Sequence, residues 1–293
     1  MTASQPSVSA LNVARCRAVA AHESRTDIKG PDHLAEIFLG EEAQMSLRNP
    51  AVLAAIVQKM AAVSPGGYEF FIARTAYLDA VFAQALRDDV PQIVLLGAGY
   101  DTRACRYRDL IQTTRIFELD TPVTQQHKRG LLDQAHVTIP PQLAFVPIDF
   151  TRDDMAQTLI QAGYRPDRQT LFIWEGVCYY LPPQTVDETF RFVRENSPAG
   201  SIICFDYMLA ASDLAGRYGA QQSRAAMEAM YTAEPLQFDL AEQQVPAFLA
   251  ERGFTLIEHL TAADLETRYL TLSDGTLAGR VLGLFGMVRA VVK

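Results

Sequence analysis

Two glycines that follow a short apolar segment are the most informative residues of this chain. The run from Gln92 to Leu96 predicts a buried strand, and Gly97 and Gly99 then form a turn where backbone can approach a ligand closely. The next apolar segment ends at Asp120, about twenty residues further on, where a carboxylate can hold ribose hydroxyls. A G-x-G turn alone would equally suit an ordinary strand-to-helix connection. Together with the acid, it predicts a nucleoside site.

The rest of this loop indicates which nucleoside is bound. A dinucleotide fingerprint has a third glycine where this chain has Thr102, and Asp101 precedes that position. A carboxylate there would repel a pyrophosphate but suits a cation. S-adenosylmethionine carries an ammonium and a sulfonium group and has no phosphate, so the loop favours this cofactor. The alternative from another enzyme class is an NAD-dependent oxidoreductase on the same type of sheet.

Three motifs also resemble a known family. The segments 96–103 (LGAGYDTR), 117–120 (FELD) and 174–181 (WEGVCYYL) are similar to the leucine carboxyl methyltransferases, which include bacterial O-methyltransferases of polyketide pathways. The resemblance runs from about Arg74 to Tyr207 and continues weakly on both sides. It implies an S-adenosylmethionine-dependent O-methyltransferase acting on a small molecule, a carboxylate or phenol of polyketide type. The alternative within the family is methylation of a protein's C-terminal carboxylate.

The resemblance also implies roles for individual residues. Arg74 would grip the cofactor carboxylate, Glu175 its ammonium and Asp120 the ribose. The adenine would contact Asp149 and the backbone of the following residue, while Gly97 packs under the methionine part. The predicted cofactor-binding residues are therefore Arg74, Gly97, Gly99, Asp101, Asp120, Asp149, Phe150 and Glu175.

Several basic residues remain to be placed. The family has a basic residue in its N-terminal segment, and either Arg25 or Lys29 could fill that role, since their spacing does not decide between them. A second cluster follows the glycine loop. We expect its members to form a solvated helix face with at most one inward residue; they are Arg103, Arg106 and Arg108.

The acceptor decides what catalysis requires. Methyl transfer from a sulfonium is an in-line displacement, so a carboxylate acceptor needs no base, whereas a phenol does. The five histidines form no recognisable constellation, which favours a carboxylate, or a phenol helped by a tyrosine or by an acid such as Asp206. Tyr179, Tyr180 and Asp206 are the catalytic candidates. Aromatic packing is the alternative for the two tyrosines, and a helix cap or loop position is the alternative for Asp206.

Strands and helices alternate regularly after residue 91, which predicts a doubly wound α/β fold. By resemblance this is the Rossmann-like class I methyltransferase sheet, seven-stranded and mostly parallel with an antiparallel last strand. We divide the chain into an N-terminal helical cap (1–90) and a core (91–293). A lid insertion covers about 207–253 and contains a helix from Ser212 to Tyr231. The expected strands are 92–96, 115–119, 143–147, 170–174, 201–206, 255–259 and 281–292.

Composition narrows the function classes. A net charge of −8 disfavours a nucleic-acid partner, because phosphate binding needs a basic surface. The four cysteines are scattered without metal-ligand spacing, so we expect neither a zinc site nor disulfides. The polar start from Met1 to Ala10 and the lack of a long apolar run predict a cytoplasmic protein that binds no membrane. Its oligomeric state stays open.

Overall fold

The computed structural model describes residues 5–150 and 152–293. A seven-stranded sheet lies at its centre, with strand order β3-β2-β1-β4-β5-β7-β6. The strands are β1 (Gln92–Leu96), β2 (Arg115–Asp120), β3 (Leu143–Pro147), β4 (Thr170–Trp174), β5 (Ile202–Met208), β6 (Phe254–Leu260) and β7 (Phe285–Val292). The helices are α1 (Val8–Ala21), α2 (Glu41–Leu47), α3 (Pro50–Val63), α4 (Gly67–Arg87), α5 (Arg103–Arg106), α6 (Pro122–Gln134), α7 (Met155–Gln161), α8 (Pro183–Glu195), α9 (Ala220–Met230), α10 (Val245–Glu251) and α11 (Ala262–Tyr269).

The sheet confirms the predicted fold class. Every residue of β1 and β4 is buried, because helices cover both faces of these central strands. Strands β1 to β5 pair in parallel, and β7 runs antiparallel to both β5 and β6. The carboxyl ends of the parallel strands therefore meet along one edge, where this fold class places its ligands.

The helix predicted in the lid is wrong in extent, and the helix after the glycine loop is short. The latter is only the four-residue α5. The helix expected from Ser212 to Tyr231 begins at Ala220 instead, because Gly216 and Gly219 have φ of +73° and +67°, which no right-handed helix allows. The lid is consequently an irregular segment followed by a short helix.

Strand β5 is longer than predicted. Its pairing with β7 continues to Met208, which lies opposite Phe285. Asp206 is therefore inside a strand and has no exposed surface, so the expectation of a helix cap or loop position for it is wrong. Antiparallel pairing provides the extra backbone hydrogen bonds that keep this strand extended.

The N-terminal region packs on the sheet through α4, whose buried face includes Phe70, Ala73 and Arg74. Helix α1 crosses α4 and buries Ala14, Ala18 and neighbouring small residues. The division into a cap and a core stays a prediction, and residues 1–4 of that cap lie outside the described part of the chain. None of the described helices is both long and apolar enough to cross a membrane.

Candidate cofactor site

The glycine loop after β1 is held to β2 by a carboxylate. The Gly99 amide donates to Asp120 Oδ2 at 2.6 Å, and the Thr121 amide donates to Oδ1 at 2.7 Å. Gly97 has φ of +67°, and a Cβ there would lie 2.6 Å from a methyl carbon of Val177. The sequence places glycine here because both the backbone conformation and the close packing require it.

Asp120 is buried but keeps capacity for a ligand. Burial raises the pKa of Asp120, while the hydrogen bonds from the Gly99 and Thr121 amides act in the opposite direction. Each carboxylate oxygen can accept two hydrogen bonds. Oδ1 receives two, from the amide and the hydroxyl of Thr121, and Oδ2 receives one, from the Gly99 amide. One acceptor position is therefore left on Oδ2, which suits a ribose hydroxyl.

The predicted adenine residues lie in the turn after β3. The Asp149 amide donates to the Asp153 carboxylate at 2.8 Å, and the Asp149 side chain lies 3.7 Å from the Arg152 guanidinium. Phe150 is half-buried and packs against the core. The turn is at the same sheet edge as the glycine loop, and the adenine roles of both residues stay a prediction.

A continuous chain of buried ion pairs joins the cap to this edge of the sheet. Its centre is Arg103, which contacts Asp79 of α4, Asp101 of the loop and Glu175 after β4. Glu175 in turn contacts Arg74, which donates to Asp206 at 2.8 Å. We call this set the charge network; its members are Arg17, Arg74, Arg103, Arg106, Asp32, Asp79, Asp101, Glu175 and Asp206.

The charge network has more acidic than basic groups. With all of them ionised, four guanidinium groups and five carboxylates leave one net negative charge in a region shielded from water. S-adenosylmethionine carries one net positive charge, from two cationic groups and one carboxylate. The network is therefore complementary in sign to this molecule.

Arg74 and Glu175 face each other with unsatisfied atoms. Arg74 Nε lies 3.1 Å from Glu175 Oε1, yet both atoms are buried and no hydrogen bond joins them or satisfies either one. Buried polar atoms without partners are rare in proteins and often mark the place of a ligand. A carboxylate would satisfy the arginine nitrogen, and an ammonium would satisfy the glutamate oxygen. One α-amino acid group offers both.

Glu175 is held ionised by its neighbours. Burial alone would raise its pKa, but the guanidinium groups of Arg103 and Arg74 outweigh burial and lower the pKa of Glu175 to about 2. The carboxylate is therefore fully charged at neutral pH. An ionised group of this kind can bind an ammonium but is a poor proton acceptor.

Comparison with known proteins identifies the family of this chain. A family model described as leucine carboxyl methyltransferase matches residues 10–194. The chain belongs to the leucine carboxyl methyltransferase family. The family resemblance drawn from the three sequence motifs is thus confirmed.

Two relatives support this membership. A Bacillus subtilis protein named as an S-adenosyl-L-methionine-dependent methyltransferase is 31% identical over 204 residues, covering 68% of this chain and 66% of that protein. A Mycobacterium marinum protein of the same name is 31% identical over 276 residues, covering 89% of this chain and 86% of that protein. The match thus spans just under two thirds of the first relative and most of the second. These relatives are named for S-adenosylmethionine, and this confirms the cofactor predicted from the loop in preference to NAD.

Solved structures agree on the fold alone. A Streptomyces avermitilis protein of the DUF574 family superimposes with a TM-score of 0.62 at 14% identity, covering 94% of this chain and all of that one. A Thermobifida fusca protein named as a methyltransferase gives a TM-score of 0.61 at 16% identity, covering 99% and 95%.

The basic residue expected in the N-terminal segment has a third candidate beside Arg25 and Lys29. Arg25 is exposed and pairs with Glu23, and Lys29 is exposed as well. Arg17 instead reaches the site: it donates to the Tyr100 carbonyl at 2.7 Å and to Asp32 at 2.8 Å. An arginine amid the buried alanines of a helix is the sequence signal that could have identified it.

The arginine cluster after the loop is also not a solvated face. Arg103 and Arg106 are buried in the charge network, and only Arg108 is largely exposed. Asp79 attracts both of the inward arginines from α4. The prediction failed because this partner lies about 25 residues earlier in the chain, beyond the range of local pattern analysis.

The three catalytic candidates lie close to Arg74 but differ in access. Asp206 accepts from Arg74 on one oxygen and from the Gly176 amide on the other, and burial raises its pKa. The Tyr179 ring is buried, and a Cβ on Gly176 would lie 3.6 Å from the Tyr179 hydroxyl. Tyr180 is half-buried beside it. Burial raises the pKa of both tyrosines, which keeps their hydroxyls protonated.

The remaining sequence expectations concern cysteines and metals. Cys105, Cys178 and Cys204 are buried, Cys16 is half-buried, and all four are free thiols. Within the described ranges, no group of three histidine, cysteine or acidic side chains is arranged to hold a metal ion.

Proposed function

We propose that this protein is an S-adenosylmethionine-dependent O-methyltransferase that esterifies the carboxylate of a small, polyketide-type acceptor. The main support for binding of this cofactor is a pair of buried polar atoms, Arg74 Nε and Glu175 Oε1, that have no hydrogen-bond partner. Arg74 would hold the cofactor carboxylate, Glu175 the ammonium and Asp120 the ribose hydroxyls. The cofactor supplies an electrophilic methyl group on a sulfonium.

The chemistry of the site favours a carboxylate acceptor. A lone pair of the acceptor oxygen forms the new C–O bond as the C–S bond breaks toward sulfur, so no proton moves. This suits a site in which Glu175, with a pKa of about 2, is a poor base. A phenol would require a base, and the candidate is Asp206, whose pKa burial raises but which has no exposed surface. Tyr179, as a hydrogen-bond donor, can orient the acceptor.

The attachment of the lid favours a small molecule over a protein tail. The Gln237 amide donates to the Tyr179 carbonyl at 2.8 Å, and the Gln237 side chain donates to the Tyr180 carbonyl at 2.7 Å. The Ser7 hydroxyl donates to Glu234 and thereby joins the start of α1 to the same lid. A lid that is hydrogen-bonded both to α1 and to the turn after β4 suits an enclosed acceptor. We keep the cytoplasm as the expected location.

Two measurements test this proposal. Calorimetric titration should show binding of S-adenosylmethionine and S-adenosylhomocysteine and none of NAD. Transfer of a labelled methyl group should then be followed on benzoic, salicylic and cinnamic acids and on a peptide with a free C-terminal leucine. A methyl ester is hydrolysed by alkali, whereas a phenyl methyl ether is not, so the product identifies the methylated atom.

The pH dependence gives a further distinction. Carboxylic acids are ionised above about pH 5, so kcat/KM for an ester product should be flat between about pH 6 and 9. A rate that rises toward the phenol pKa near 10 would support the phenol. Methylation of the peptide alone would replace the small-molecule acceptor with the protein carboxyl terminus.

A further inference from the structure

The beginning of α1 is joined to the lid by hydrogen bonds. The Ser7 hydroxyl donates to Glu234 at 2.8 Å, and the Ser9 amide donates to the other oxygen of the same carboxylate at 3.2 Å. The Asn12 side-chain nitrogen Nδ2 donates to the Tyr231 hydroxyl at 3.2 Å. Helix α1 and the lid therefore form one continuous surface over the carboxyl edge of the sheet.

A row of aromatic rings leads from that surface toward the cofactor site. The ring centres of Tyr231 and Tyr180 are 6.3 Å apart and nearly perpendicular. Those of Tyr180 and Tyr179 are 4.8 Å apart, and those of Tyr179 and Phe285 are 5.2 Å apart. Such edge and tilted contacts provide a surface on which a further planar ring can pack. We call these four residues the aromatic wall.

The inner end of the aromatic wall reaches the methionyl end of the cofactor site. A Cβ on Gly176 would lie 3.6 Å from the Tyr179 hydroxyl and 3.3 Å from Arg74 Nη1, so these two groups are neighbours. Cys16 lies one helical turn after Asn12, on the same face of α1. Burial raises the pKa of the Cys16 thiol to about 12, and the Arg74 guanidinium opposes this shift, which places the thiol near that group.

We propose that the Asn12–Cys16 face of α1 is the second wall of the acceptor chamber, meeting the aromatic wall where Asn12 contacts Tyr231, and that Asn12 determines acceptor specificity. The inference rests on the proposed function and narrows its substrate to planar aromatic acids. Asn12 Oδ1 accepts no hydrogen bond from the described residues, so it can accept one from a hydroxyl on the acceptor ring. The aromatic wall would pack against the face of that ring.

The experiment uses a cofactor analogue in which a benzyl group replaces the transferred methyl. In-line transfer requires the acceptor to approach along the axis of the S–CH₃ bond, so the benzyl ring must occupy the acceptor chamber. Asn12→Trp should fill part of that space and weaken binding of the analogue at least about tenfold, while S-adenosylhomocysteine changes by less than about twofold. Arg15→Trp is the matched control, because Arg15 is exposed on the same helix.

Calorimetry separates the outcomes. Equal losses for both ligands in Asn12→Trp would assign α1 to the cofactor pocket and overturn the proposal. No loss for either ligand, with an unchanged melting temperature, would also overturn it. If the unmutated protein fails to bind S-adenosylhomocysteine, the proposed function itself is wrong.

A thiol reaction provides an independent readout without any substitution. Cys16 is half-buried, whereas the other three cysteines are buried, so N-ethylmaleimide should modify it first at an alkaline pH that ionises part of the thiol. The benzyl analogue should slow this modification more than S-adenosylhomocysteine does, because only the analogue fills the chamber. Equal protection by the two ligands would contradict the placement of Cys16 in the acceptor wall.

Discussion

Substitution of Glu175 by glutamine is the sharpest test of the charge network. The glutamate carboxylate contacts Arg74 and Arg103, and both of these arginines are almost completely buried. Glutamine keeps the shape of the side chain but removes its charge. The two guanidinium groups then lose a shared partner, and the proposed ammonium site loses its counter-charge.

The expected magnitude follows from the pKa. Glutamic acid ordinarily titrates at 4.5, and Glu175 has a pKa of about 2 in the folded protein. The difference corresponds to about 3 kcal/mol of folding stability. Because the folded pKa is the lower one, this contribution is present above about pH 4.5 and is lost as the pH falls toward 2. Cofactor binding should weaken separately. Loss of a charge-assisted hydrogen bond to the ammonium costs about 1.5–3 kcal/mol of binding free energy, which is about a 10- to 150-fold lower affinity.

Urea unfolding and calorimetry measure the two effects separately. The Glu175→Gln variant should unfold at lower urea concentration than the parent at pH 7, and the gap should narrow as the pH approaches 3. S-adenosylhomocysteine should bind more weakly to it at pH 7. Glu188→Gln on α8 is the matched control, because Glu188 is exposed and should change neither quantity. Unaltered stability at pH 7 would show that the arginines do not depend on this carboxylate, and unaltered affinity in the folded variant would refute the ammonium assignment.

Three further substitutions test other parts of the site. Arg74→Met leaves the charge of the fully buried Asp206 without its ion-pair partner, so urea unfolding should show a loss of about 3–5 kcal/mol. Gly97→Ala places a Cβ 2.6 Å from Val177 while the backbone at residue 97 stays left-handed, so the free energy of unfolding should fall by about 1–3 kcal/mol. Adding Val177→Ala should remove the clash but not the backbone strain, and should therefore recover only part of this loss. Asp120→Asn should weaken S-adenosylhomocysteine by about 1–3 kcal/mol in calorimetry, and an equal loss for the 2′,3′-dideoxy analogue would contradict the ribose assignment.

Local sequence was sufficient for the strands that consist of an uninterrupted apolar run. Strands β1, β3 and β4 lie at their predicted residues, because such a run between turn residues has few other stable conformations. The glycine loop was predictable for a related reason. Its conformation depends on Gly97 and Gly99 themselves and on a carboxylate at a fixed distance along the chain.

The charge network was predictable only in part. Arg74 and Glu175 were identified through a family motif, whereas Arg17, Asp32 and Asp79 were missed. Each of these three looks locally like an ordinary helix or loop residue, and its partner lies far away in sequence. The burial of such a residue depends on whether tertiary contacts supply an opposite charge, which no local pattern records.

The surplus negative charge of the charge network should make it prefer a cationic ligand. Buried charges are stable only when each has a partner of opposite charge, and the network has one more carboxylate than guanidinium groups. S-adenosylmethionine brings one net positive charge, but S-adenosylhomocysteine has lost the sulfonium charge and is neutral overall. The network should therefore attract the substrate more strongly than the product, and water exclusion increases the difference. Direct calorimetric comparison in the parent protein should show tighter binding of S-adenosylmethionine, and Glu175→Gln should reduce that preference. If S-adenosylhomocysteine binds more tightly and Glu175→Gln leaves this preference unchanged, then packing contacts, and not charge, determine the release of the product.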